Sequence, residues 1–221
     1  MLTKNNIEVL RWPEAIRRRP EMYIRDRGPL GLRFLARELF ECPQSPRKLS
    51  VVIEGAKFEM LAVSAPVAVE PRQAGKPIYL IEVASGMHVP LDDPSSISAA
   101  EILDLQTKPA VFRRADFAPS AIAIANALSS EMKLVSYRAG VATEVRFMRG
   151  APTSDAIMAP STSEDGLEIA LVLDLEIFPN TSFSFKDLAG ELRDFALRRR
   201  VCVELRHANA RDLVFAMTGA V

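Results

Sequence analysis

Apolar residues recur along this chain at two spacings, and each spacing predicts a different element. Leu32, Leu35, Ala36, Leu39 and Phe40 share one face at helical spacing, which predicts a helix over 31–42 with Glu38 flanking that face and Glu41 opposite it. Pro43 and Pro46 are expected to end it. Upstream, Pro13 opens a short helix that Pro20 breaks, leaving Met22, Tyr23 and Ile24 as an irregular anchor. The stretch 115–129, ADFAPSAIAIANALS, reads as a loop entering a helix at Pro119, with Ile122, Ile124, Ala125 and Leu128 apolar and a polar turn at Ser129 and Ser130. Ser98, three residues before Glu101, forms a capping box for a helix over 98–105. Leu188, Leu192, Phe195 and Ala196 give the inner face of another over 185–197.

The second spacing is that of strands. Blocks over 48–53, 58–63, 78–83, 141–148, 167–175, 201–205 and 213–217 alternate or run apolar, and 133–152 reads as a two-stranded hairpin. Segment 154–164, poor in bulky residues and containing Pro160, predicts a flexible loop. Helices and strands mix without the strand–helix–strand rhythm of a parallel sheet, so the fold class is α+β.

Composition adds limits rather than a function. With 221 residues, 48% hydrophobic and 25% charged, the chain can bury a core. Lys and Arg match Asp and Glu at 28 each, so no overall field draws it to nucleic acid or anionic membrane. The basic clusters at Arg17-Arg18-Arg19, Arg113-Arg114 and Arg198-Arg199-Arg200 read as solvated faces. Cys42 and Cys202 fit no metal spacing. The N-terminus lacks a leader-like apolar core and no apolar run is long enough to span a bilayer, so a cytoplasmic, non-membrane protein is expected. His88 and His207 have no Ser or Cys companion pattern that makes a triad.

Several stretches then fall into a familiar order. PEAIRRRPEMYI at 13–24, Gly31-Leu32 opening a helix with Glu38 seven residues on, SISAAEIL at 96–103, NALS at 126–129, LVSYRAG at 134–140, RGAP at 149–152 and FPNTSFSFKDLAGELRDFAL at 178–197 span nearly the whole chain. Together they resemble the N-terminal ATPase domain of DNA gyrase B and its topoisomerase IV relatives. The resemblance implies a single domain over 1–221 with the Bergerat, or GHKL, fold: a mixed, mostly antiparallel sheet with helices on one face and nucleotide held between the layers. Relative to that family, 62–77 is an enlarged hairpin, and no transducer or cleavage domain is expected.

The same resemblance assigns a vestigial site. Glu38 falls on the family's general base, which needs only placement within hydrogen-bond reach of its water. Cys42 stands where the family has a magnesium-binding asparagine, and a soft thiol is a poor ligand for that hard cation. In the register of the family's adenine motif, the aspartate becomes Ala84, followed by Ser85, Gly86 and His88. Loss of such a charge-assisted hydrogen bond removes roughly 1.5–3 kcal/mol. The phosphate loop falls on 115–121, which has no glycine, and Pro119 removes a backbone donor while Ala121 fills the last position. The family's threonine after a later glycine is Leu167 after Gly166, whereas Arg138 matches an arginine at the pocket rim.

These residues imply a pseudo-ATPase without ATP, magnesium or other metal, acting as a protein-interaction or regulatory module. Its expected partner is a second copy of itself or a type II topoisomerase subunit, with no direct nucleic-acid contact. Two alternatives stand beside it. One is an ATPase with a reconfigured pocket, in which Glu38 remains the base. The other is a small-molecule binding module that uses the more apolar pocket left by Ala84, Ala121 and Leu167.

Overall fold

The computed structural model describes residues 13–43, 46–64, 121–138 and 140–208, together with the backbone of Phe215–Met217. The strand over 78–83, the helix over 98–105, Arg113, Arg114 and most of the hairpin over 62–77 lie outside these residues.

Three helices open the described chain: α1 (Glu14–Arg18), α2 (Glu21–Ile24) and α3 (Pro29–Glu41). The break between α1 and α2 falls at Pro20, as its missing donor requires. α3 begins two residues before the expected Gly31. Pro29 suits the first turn, and the Asp26 carboxylate caps it by accepting from the N–H of Gly28 at 2.6 Å and of Gly31 at 2.9 Å. Gly31 is needed for another reason: a Cβ there would sit 2.0 Å from the Asp26 carbonyl oxygen.

Nine strands form one sheet among the described residues. They are β1 (Pro46–Glu54), β2 (Lys57–Ser64), β3 (Ser129–Arg138), β4 (Val141–Met148), β5 (Ala151–Pro152), β6 (Ile157–Pro160), β7 (Gly166–Leu173), β8 (Cys202–His207) and β9 (Phe215–Met217). The order is β5-β4-β3-β7-β2-β1-β8-β9, with β6 also on β4. All pairings are antiparallel except β1 with β8, and α5 (Phe185–Arg199) makes the connection from β7 to β8.

Four sequence expectations need correction. Met22, Tyr23 and Ile24 are not irregular: the chain restarts as α2 straight after Pro20, burying Ile24 and leaving Met22 exposed. Pro46 opens β1 rather than merely ending a helix; a strand's first residue tolerates proline. Ser129 and Ser130 make no turn. The helix α4 (Ala121–Leu128) passes directly into β3, with the Ser129 hydroxyl donating to the Ala125 carbonyl at 2.6 Å and that of Ser130 to Val172 at 3.2 Å. Within 154–164, Ile157–Pro160 is an edge strand, because backbone pairing to Val141–Glu144 supplies the order that its exposed side chains do not.

The core lies between the helices and one face of the sheet. Leu49, Val51 and Ile53 of β1 alternate inward, as do Phe58, Met60 and Ala62 of β2 and Ile169, Leu171 and Leu173 of β7. Phe40 of α3 sits at the centre, 6.3 Å from Phe58 and 6.2 Å from Phe195 between ring centroids. α3 and α5 lie side by side, tied at one end by Arg33 to Glu191 and at the other by Arg198 and Arg199 to Glu41. No described helix is long and apolar enough to cross a membrane.

Candidate functional site

The last turn of α3 carries Glu38 and Cys42, and α4 begins beside it. The N–H of Ile122 points at the Cys42 sulfur, whose own S–H donates to the Glu38 carbonyl oxygen at 3.4 Å. α4 also packs on β3 and β7. Arg138 is the last residue of β3, and across the ladder Tyr137 pairs with Gly166 and Ser136 with Leu167. The described residues implied by the resemblance thus divide between the α3–α4 junction, with Glu38, Cys42 and Ala121, and the end of the β3–β7 pair where Arg138, Gly166 and Leu167 lie. Ala84, Ser85, Gly86, His88 and Pro119 lie outside the described residues.

Apolar packing dominates both places. Cys42, Ala121 and Leu167 all pack against the hydrophobic core. Burial pushes the Cys42 thiol up to about 12; the Ile122 N–H opposes this, while the Glu38 and Glu41 carboxylates add to it. Glu38 is 42% exposed and its carboxylate accepts from the Arg37 guanidinium of the preceding residue at 3.1 Å. Gly166 has a structural role of its own, since a Cβ there would lie 2.2 Å from the Ala62 carbonyl of the neighbouring strand.

A protonated soft thiol does not fit magnesium. Among the described residues, no group of three or more His, Cys, Asp or Glu side chains is arranged to hold a metal ion. A concavity between α1 and the segment after β7 is lined by Arg17, Arg18, Arg27, Glu14 and Glu176. Its arginines already face carboxylates: Arg17 meets Asp174, Arg18 meets Glu14 and Arg27 meets Glu21.

Sequence reasoning missed two arrangements. Arg17, read as part of a solvated face, is 17% exposed and bonded to the buried Asp174 carboxylate at 2.6 Å; only the contact across the fold distinguishes it from its neighbours. Arg25 and Arg37 both place their guanidinium groups over the Phe34 ring, with carbon-to-centroid distances of 4.6 and 5.1 Å. Arg25 adopts φ 77° with ψ −44°, a positive-φ backbone that is uncommon for a non-glycine residue.

No protein-family model matches the chain. Curated proteins do. It is 26% identical to the DNA gyrase B protein of Borrelia hermsii over 214 residues, which cover 92% of this chain and 32% of that protein. The figure for the DNA gyrase B protein of Treponema denticola is 27% over 229 residues, or 98% and 34%. The chain therefore spans about a third of the length of these relatives. Among solved structures, the 43K ATPase domain of Thermus thermophilus gyrase B, in complex with an aminocoumarin, superposes with a TM-score of 0.66 at 17% identity, covering 93% of this chain and 50% of that one. The B-subunit of Myxococcus xanthus DNA gyrase gives 0.68 at 19%, covering 93% and 55%. The chain has the fold of the gyrase B ATPase domain and resembles gyrase B in sequence over most of its length.

Proposed function

We propose that this chain is a gyrase-B-like domain that has lost ATP hydrolysis and most of its ATP affinity, and that it works in the cytoplasm through contacts with protein. The observation that carries this reading is Cys42. Its thiol is turned to the core and held protonated where the family resemblance requires a hard oxygen donor for magnesium. Leu167, where the resemblance implies a threonine, replaces another polar contact by packing, and Ala121 packs where it implies a phosphate-loop glycine. Glu38 keeps its place on α3, but a carboxylate alone does not bind or orient a phosphate. The partner we propose is a second copy of the chain or a type II topoisomerase subunit, because the relatives are gyrase B proteins.

Turnover tests this reading. Inorganic phosphate release from ATP with magnesium should equal the protein-free blank, and Glu38→Gln should change nothing. Magnesium-dependent release abolished by E38Q would establish the ATPase alternative instead.

A further inference from the structure

We propose that the outward face of α5 is where a second copy of the chain docks, its own α5 lying alongside and parallel, which rests on the proposed role in protein contacts and gives it a surface and a partner. Leu188, Leu192, Phe195 and Ala196 turn to the core, and the opposite face is centred on Gly190. At about 100° per residue, Lys186 and Arg193 lie roughly 40–60° to one side of Gly190, Asp187 and Asp194 roughly 40–60° to the other, and Leu197 within about 20° of it. The acidic column adjoins α3, where Arg33 bonds Glu191 and feels the charges of both aspartates. Between the columns nothing stands within 4 Å of where a Gly190 Cβ would be, and Leu197 is 58% exposed. A glycine inside a helix costs stability relative to alanine, and no close packing within the chain requires this one. It leaves a low point in the helix surface where a second helix can approach, with an apolar side chain two turns on.

Charge selects the occupant and its direction. When two copies of α5 meet parallel across a two-fold axis, the basic column of each faces the acidic column of the other. Lys186 then stands opposite Asp187 of the second copy and Arg193 opposite its Asp194, while the two glycines and the two Leu197 side chains meet between them. An antiparallel meeting sets aspartates against aspartates and cations against cations. The face is therefore complementary to itself in one direction only. A single helix face about 22 Å long buries less than about 1,000 Å², so the dimer is a weak one that salt screens.

The test is sedimentation equilibrium of the folded chain without nucleotide, at low and high salt. A reversible dimer is expected at low salt. Asp194→Arg, which faces Arg193 of the second copy, should weaken it at least about tenfold. The double variant R193D/D194R exchanges the two sides and should return the dissociation constant to within about threefold of the wild type. That rescue separates a lost charge pair from a damaged fold, and circular dichroism checks that each variant is folded. A monomer up to millimolar concentration, a dimer indifferent to D194R, or a double variant no better than D194R would overturn the proposal. Tightening by D194R would mark an antiparallel pair and overturn it as well. With nucleotide absent, none of these outcomes bears on phosphate release, which judges the loss of turnover separately.

Discussion

Arg17 and Asp174, 157 residues apart in sequence, are joined by a 2.6 Å hydrogen bond between a guanidinium and a carboxylate that is 3% exposed. Arg17 also donates to the Ala127 carbonyl at 2.8 Å, the Glu176 N–H donates to the same carboxyl at 3.0 Å, and Arg149 lies 3.3 Å from it. One buried carboxylate thus ties α1 to the end of α4, the turn after β4 and the exit of β7.

Asp174→Asn keeps the shape and removes the charge. Taking one partner from a buried pair costs about 3–5 kcal/mol, so D174N should unfold at markedly lower urea. Burial alone would raise the Asp174 carboxyl, but the bonds from Arg17 and the Glu176 N–H, with the charges of Arg17 and Arg149, outweigh it and hold it below the usual carboxylate range. A lowered folded pKa gives stability that is present above the unfolded value of about 3.9 and is lost as pH falls through the folded one. Urea midpoints measured across acid pH should therefore converge for wild type and D174N as pH drops.

Gly166→Ala places a methyl 2.2 Å from the Ala62 carbonyl oxygen and must push β7 from β2. The expected cost is about 3 kcal/mol, the upper end for overpacking. Gly190, within α5, has nothing within 4 Å of where a Cβ would sit, and G190A should raise stability by about 0.5–1 kcal/mol. Thermal melts of the two variants should move in opposite directions.

The two thiols should react at very different rates. Cys202 is exposed on β8, whereas the Cys42 thiol is pushed up to about 12 by burial. A maleimide at pH near 8 should modify Cys202 quickly and the half-buried Cys42 far more slowly. Mass mapping of the labelled peptides checks it, and fast labelling at Cys42 would contradict the packed junction.

Tyr137 donates to the Glu168 carboxylate at 2.7 Å, and the same carboxylate pairs with Lys133. The hydrogen bond to Glu168, together with burial and nearby negative charge, pushes the phenol up to about 12. Its folded pKa is raised, so its share of stability holds below the unfolded value of about 10 and disappears as pH rises through the folded one. In a tyrosinate absorbance titration, Y137F should remove the most alkaline step.

The fold was legible where periodicity and caps agree. The face of α3 and the inward residues of α5 emerge from spacing alone, because burial of one stripe is what spacing encodes. The edge strand at Ile157–Pro160 was not, since backbone pairing orders it and its residues carry no alternation. Nor was the direct passage from α4 into β3: two serines look like a turn until their hydroxyls are seen bonded to backbone carbonyls. In the candidate site, the exchange for Cys42 could be read from the sequence, but its inward orientation could not. The Arg25–Phe34–Arg37 cluster joins a turn to a helix face, a relation that spacing does not report.

Loss of nucleotide affinity is the premise on which the proposed role stands, and a calorimetric titration with ATP and a non-hydrolysable analogue, with and without magnesium, puts it to the test. A ligand that binds only the native state stabilises it by RT ln(1 + [L]/Kd), about 2.7 kcal/mol at a hundredfold excess over Kd, so a parallel melt should show the same answer. No saturable heat and no thermal shift are expected at millimolar nucleotide, with magnesium making no difference. Saturable, magnesium-dependent binding accompanied by a raised melting temperature would contradict the loss.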